Sequence, residues 1–85
     1  MRRAVTQLNE AIRLEETYAP VHAALSSTYA LSLYYKYDVG LPAYDLAALA
    51  FAEADRAIEL DPELDAGYSS RGYITGLVGA DVDAA

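Results

Sequence analysis

The sequence predicts an all-α fold of about four antiparallel helices, and three observations predict it. Apolar residues return at three- and four-residue intervals through four separate runs. Helix-breaking punctuation divides the runs at Pro20, at Gly40 with Pro42, and at Asp61-Pro62. The stretch Ala57-Ile58-Glu59-Leu60, which closes one run, has a weaker copy in Ala11-Ile12-Arg13-Leu14, 46 residues earlier. A copy at a fixed offset is the mark of a repeat.

The first helix is expected from Arg2 to about Glu16. Ala4, Val5, Leu8, Ala11, Ile12 and Leu14 share a stripe, with Arg3, Gln7, Asn9, Glu10 and Arg13 mostly opposite. Thr17 is the expected N-cap of the second helix, and Pro20 fits its first turn, where a missing N–H costs nothing. That helix should run from Ala19 to Tyr35 or Lys36. Val21, Ala24, Leu25, Thr28, Tyr29, Leu31, Leu33 and Tyr34 make it apolar nearly all round, so it is the expected centre of the domain.

Tyr37 to Pro42 is the clearest loop, with Gly40 able to take a positive φ. The third helix should run from Pro42 or Ala43 to Leu60, with Leu46, Leu49, Ala50, Ala54, Ala57 and Ile58 on one stripe and Phe51 beside it. Asp61-Pro62 stops it. The fourth is expected from about Glu63 to Val78, packing through Leu64, Tyr68, Ile74, Leu77 and Val78 with Tyr73 at the flank. Gly67, Gly72 and Gly76 should mark close approach of a neighbouring helix. Gly79 is the expected C-cap, and residues 80–85 a frayed tail.

With 85 residues the chain is one domain at most, and modest in what it can bury. It has no cysteine, which excludes a disulfide framework and a thiolate metal site. Its net charge of −7 repels phosphate backbones and argues against nucleic acid. No run reaches the ~18 apolar residues of a membrane span, and Met1-Arg2-Arg3 leads into no apolar signal segment. A cytoplasmic location is expected.

The repeat extends beyond its junction. Ala4-Val5-x-x-Leu8 corresponds to Ala50-Phe51-x-x-Ala54, and His22-x-x-Leu25-Ser26-x-x-Tyr29 to Tyr68-x-x-Arg71-Gly72-x-x-Thr75. Each half reads helix, short turn, helix. This resembles the tetratricopeptide repeat (TPR), a 34-residue helix–turn–helix unit. Tyr68 stands at its aromatic, Arg71-Gly72 at its Leu-Gly pair, Ala50 and Ala57 at its alanines and Pro62 at its closing proline. The resemblance covers roughly residues 4–79. Glu16 departs from it in place of the proline, and Thr75 in place of the tyrosine. The offset exceeds the unit by about 12 residues, an insertion between Leu33 and Leu49.

The resemblance implies a short right-handed solenoid. Residues 1–79 would hold the second helix of one repeat, one complete repeat with a long insertion, and the first helix of the next. No polar capping helix is evident, so the chain is expected to belong to a longer array and to dimerise through its end helices. Arrays of this kind occur beside bacterial signalling and regulatory domains. The implied function is a protein–protein interaction module with a peptide or helix as partner. The alternatives are a structural or dimerisation scaffold and, third, small-molecule binding or catalysis.

By repeat position, the implied binding groove is lined by Ala23, Ser27, Ala30 and Tyr34 on the second helix and by Ser69, Tyr73 and Gly76 on the fourth. The family's carboxylate-clamping members carry Lys, Arg and Asn on that face, so that specificity is not expected. Tyr29, Tyr34, Tyr35, Tyr37 and Tyr44 cluster around the insertion, where they either fill space between lengthened helices or grip a partner. His22, the single histidine, is expected to pack in place of the repeat aromatic. Glu59, Asp61, Glu63 and Asp65 are expected to cap and solvate a helix junction. The sequence contains no nucleophile constellation, phosphate loop or metal-ligand spacing. No catalytic residue, metal or cofactor is therefore assigned.

Overall fold

The computed structural model describes residues 1–84 and is all-helical. It holds α1 (Arg2–Leu14), α2 (Ala19–Tyr35), α3 (Ala43–Leu60) and α4 (Asp65–Ala84), with no strand among the described residues. Side-chain pairs show that successive helices run antiparallel. Arg2 at the start of α1 meets Asp38 beyond the end of α2. Along α2, His22 meets Glu53 and then Ser26 meets Ala50, so the α3 partner number falls as the α2 number rises. Along α4, Gly67 lies against Ile58 and Arg71 meets Asp55, the same reversal against α3.

Helix α2 is the centre, as expected: it touches all three others, while α1 touches only α2. The core is Leu25, Tyr29 and Ala30 of α2 with Leu46 and Ala50 of α3 and Ile74 of α4. Helix α1 has no fully buried residue and lays Val5, Leu8 and Ile12 against that core, half-covered. Leu14, expected on its stripe, is exposed, because the helix stops there and Glu15 closes it by donating to the carbonyls of Ala11 and Ile12.

Thr17 is not the cap of α2. It lies inside a turn closed by Tyr18 N–H on the Glu15 carbonyl, so Tyr18 takes the N-cap position, with Pro20 in the first turn. At the other end Lys36 adopts the left-handed conformation (φ 59°), with its own N–H and that of Tyr37 on the Ser32 carbonyl. Gly40 has the expected positive φ, 82°, inside the loop and not at the cap. Asp38 shapes that loop by accepting from Gly40 N–H at 2.9 Å.

Alanine does most of the packing on α3, where Leu46, Ala50, Ala54 and Ala57 are buried in one stripe. Small residues let α4 come close. A Cβ on Gly67 would stand 3.0 Å from Ile58 Cγ1 and 3.5 Å from Ala57 Cβ. The close-approach expectation fails at Gly72 and Gly76, where an added Cβ would meet nothing within 4 Å.

The face of α4 is also rotated from the expected one. It buries Gly67, Ser70 and Ile74, with Leu77 and Val78 half-covered, and leaves Tyr68 and Tyr73 substantially exposed. Its start is two residues late because Asp61 to Leu64 forms a turn, with Glu63 N–H on Asp61 Oδ1 and Leu64 N–H on the Asp61 carbonyl. The helix passes through Gly79, where it was expected to end, and continues to Ala84; Ala85 lies outside the described residues. No helix is long and apolar enough to cross a membrane among the described residues.

Candidate functional site

The expected groove divides in two. Ala23 and Ala30 are 2% and 0% exposed, closed into the packing around α2, and no ligand reaches them in this chain. Ser27 is half-buried, its hydroxyl 2.7 Å from that of Ser70 on α4. Ser70 in turn donates to the Ala23 carbonyl at 3.1 Å. Ala23 and Ser27 therefore form a seam with α4 and not an open surface, and Ala30 belongs to the core. Tyr34, Ser69, Tyr73 and Gly76 are exposed.

A different surface is better formed. At the α2–α3 turn, Tyr34 and Tyr35 meet edge to face with ring centres 4.8 Å apart, and Tyr35 lies 5.6 Å from Tyr37. All three are about half exposed, and Tyr44 at the start of α3 is 84% exposed. Of the tyrosines around the insertion only Tyr29 fills space. It is buried, and its hydroxyl receives Asn9 Nδ2 at 3.4 Å.

Beside these rings a cleft of about 210 Å³ is lined by Ser32, Leu33, Lys36, Tyr37, Leu41 and Leu46. Its lining is mainly apolar and includes Lys36, the one lysine of the chain. Lys36 makes no ion pair among the described residues. The loop under it is anchored by Arg2, which donates to the Asp38 carbonyl at 3.1 Å and to its carboxylate at 3.0 Å. The Gly40 N–H first, and then Arg2, hold the Asp38 carboxyl below its ordinary value.

His22 is buried, as a packing residue should be, yet both of its ring nitrogens are engaged. Nδ1 stands 2.6 Å from Glu53 Oε2 on α3, and Nε2 stands 2.7 Å from the Glu16 carbonyl in the α1–α2 connector. The acidic run behaves as a junction: Asp61 caps the turn, and Glu59 pairs with Arg56 at 2.6 Å. Among the described residues no group of three His, Cys, Asp or Glu side chains could hold a metal.

Sequence reasoning missed the polar ties between helices. Ser26 donates to the Ala50 carbonyl at 2.6 Å inside the core. Arg71, read as standing at an apolar repeat position, stacks 5.5 Å over the Phe51 ring and binds Asp55. A serine at helical spacing among alanines is the signal that could have marked Ser26. The chain matches no family model, no curated protein and no solved structure.

Proposed function

We propose that this chain is a stretch of a tetratricopeptide-like, right-handed helical array that binds a peptide or helix of a partner protein. In this reading it is part of a larger cytoplasmic regulatory protein and carries out no bond chemistry. The helix contacts favour it. In such a stack a first helix meets the second helix before it, its own second helix and the next first helix, and α2 meets α1, α3 and α4.

The observation that carries the binding reading is the tyrosine surface at the α2–α3 turn. Tyr34, Tyr35, Tyr37 and Tyr44 expose aromatic area next to a mainly apolar cleft that Lys36 helps to line. Tyrosine is the residue that supplies contact energy at low entropic cost. The partner surface therefore centres on the insertion, and of the expected groove residues it retains Tyr34. The test is selection of binders from a random-peptide library on the folded chain, repeated with Tyr34→Ala/Tyr35→Ala. Selected peptides should lose about tenfold in affinity, or ~1.4 kcal/mol, with helicity unchanged. Equal affinity for the double variant refutes the reading.

A scaffold role is favoured by a separate observation. The accessible surface is 5364 Å², against about 4900 Å² for an ordinary folded chain of this mass. The surplus suits an extended stack whose end helices take neighbours, including α1 and α4 of a second copy. A concentration-independent monomer in equilibrium sedimentation would argue against that role.

A further inference from the structure

We propose that the tyrosine surface at the α2–α3 turn takes an uncharged, proline-rich segment of a partner in the extended polyproline II conformation. The inference rests on the reading of that surface as the partner site and names the chemistry of its occupant. The surface is made by the end of α2. On a continuing helix Tyr35 and Tyr37 would point to opposite sides, since each residue turns by about 100°. The left-handed Lys36 redirects the chain and leaves their ring centres 5.6 Å apart. Tyr34 and Tyr35 stand at 85° to one another with centres 4.8 Å apart, which makes the two walls of an aromatic corner.

A polyproline II segment matches such a corner in three ways. Its pyrrolidine rings are apolar and pack on aromatic faces. It has no internal hydrogen bonds, so its carbonyls are open acceptors for tyrosine hydroxyls. It is preformed, so docking on a small surface costs it little entropy. The hydroxyl of Tyr29 is engaged by Asn9, whereas no hydrogen bond among the described residues engages those of Tyr34, Tyr35, Tyr37 or Tyr44.

The other modes of peptide recognition fit less well. Strand addition needs a sheet edge, and the described residues hold no strand. A docked helix needs a groove for anchors spread over two turns, about 10 Å. The cleft here holds about 210 Å³, room for single side chains and not for a row of them. An acidic or phosphorylated motif needs an arginine cluster, and the arginine at this turn, Arg2, is engaged by Asp38. Charge also selects the occupant. Lys36 and Arg2 balance Asp38 and Asp45 here, so the patch is neutral within a chain of net charge −7. A basic segment is drawn to the acidic remainder and an acidic one is repelled by it. An uncharged segment matches the patch itself.

The test is a titration of the ¹⁵N-labelled full chain with a synthetic oligoproline of about ten residues, three turns of polyproline II. A glycine-serine peptide of the same length is the control. Oligoproline should shift residues 34–37 and 44 and the control should not. Tyr35→Ala should weaken oligoproline binding about tenfold. Tyr35→Phe keeps the ring and loses the hydroxyl, and should weaken it about threefold. Should Tyr35→Ala fail to fold, Tyr35→Phe carries the test. Unchanged affinity in Tyr35→Phe, or shifts outside the turn, overturns the proposal. Binding of library-selected, proline-free peptides at these tyrosines without binding of oligoproline overturns it too, while the partner-site reading stands. If neither kind of peptide binds, both fall.

Discussion

Glycines on one helix can respond to the same substitution with opposite sign, and α4 offers the comparison. Gly72 sits in the helix interior, where an added Cβ meets nothing within 4 Å. Gly72→Ala gains helix propensity at no packing cost, about 0.5–1 kcal/mol. For a chain of this size that raises Tm by about 3–6 °C. Gly67 lies in the first turn of α4, where the propensity gain is smaller.

Its new methyl would stand 3.0 Å from Ile58 Cγ1 and 3.4 Å from the Ile58 backbone nitrogen. The backbone nitrogen at 3.4 Å is in ordinary contact, but the Ile58 side chain, inside a packed interface, must give by a few tenths of an ångström. Overpacking of this sort costs about 1–3 kcal/mol. The net for Gly67→Ala is therefore a loss of about 1 kcal/mol, seen as a Tm lowered by several degrees. Thermal melts of the two variants by circular dichroism decide it. A Gly67→Ala protein that melts as high as Gly72→Ala would refute the close α3–α4 contact at Ala57 and Ile58.

Two further outcomes follow from the α2–α3 turn. Lys36 holds a left-handed backbone that glycine adopts without strain, so Lys36→Gly should stabilise the chain by up to ~1 kcal/mol in urea titration while removing the lysine from the cleft lining. The Asp38 carboxyl, held low by Gly40 N–H and then Arg2, contributes loop stability that is full above about pH 4, the ordinary aspartate value. That contribution disappears as pH falls through the lower folded value. Amide shifts of residues 37–41 should therefore move in acid in the wild type and not in Asp38→Asn.

Much of the element order was legible because its signals are local. Pro20, the Gly40/Pro42 loop and Asp61-Pro62 bound α2 and α3 where the periodicity puts them. The packing faces were harder. Helix α2 is apolar nearly all round, so its stripe did not reveal that Ala23 and Ala30 face inward while Ala24 and Tyr34 face out. On α4 the tyrosines outweighed Gly67 and Ser70 in the pattern, although the small residues make the contact because they let α3 approach.

The candidate site was legible as a cluster of tyrosines near the insertion. Their exposure depended on the turn that Lys36 makes, which has no glycine to announce it. The His22–Glu53 contact joins positions 31 residues apart and exists only once α2 lies against α3.

Helix α1 is a rod about 20 Å long, tied at both ends by polar contacts and packed along one stripe between them. Arg2 ties one end to the loop beside Tyr37, and the Glu16 carbonyl ties the chain just past the other to His22. Between the moorings lie half-covered Val5, Leu8 and Ile12. The Arg2 tie adjoins the loop beside Tyr37, and the Glu16 tie lies at the start of α2, so the two ties bracket α1 at opposite ends of α2.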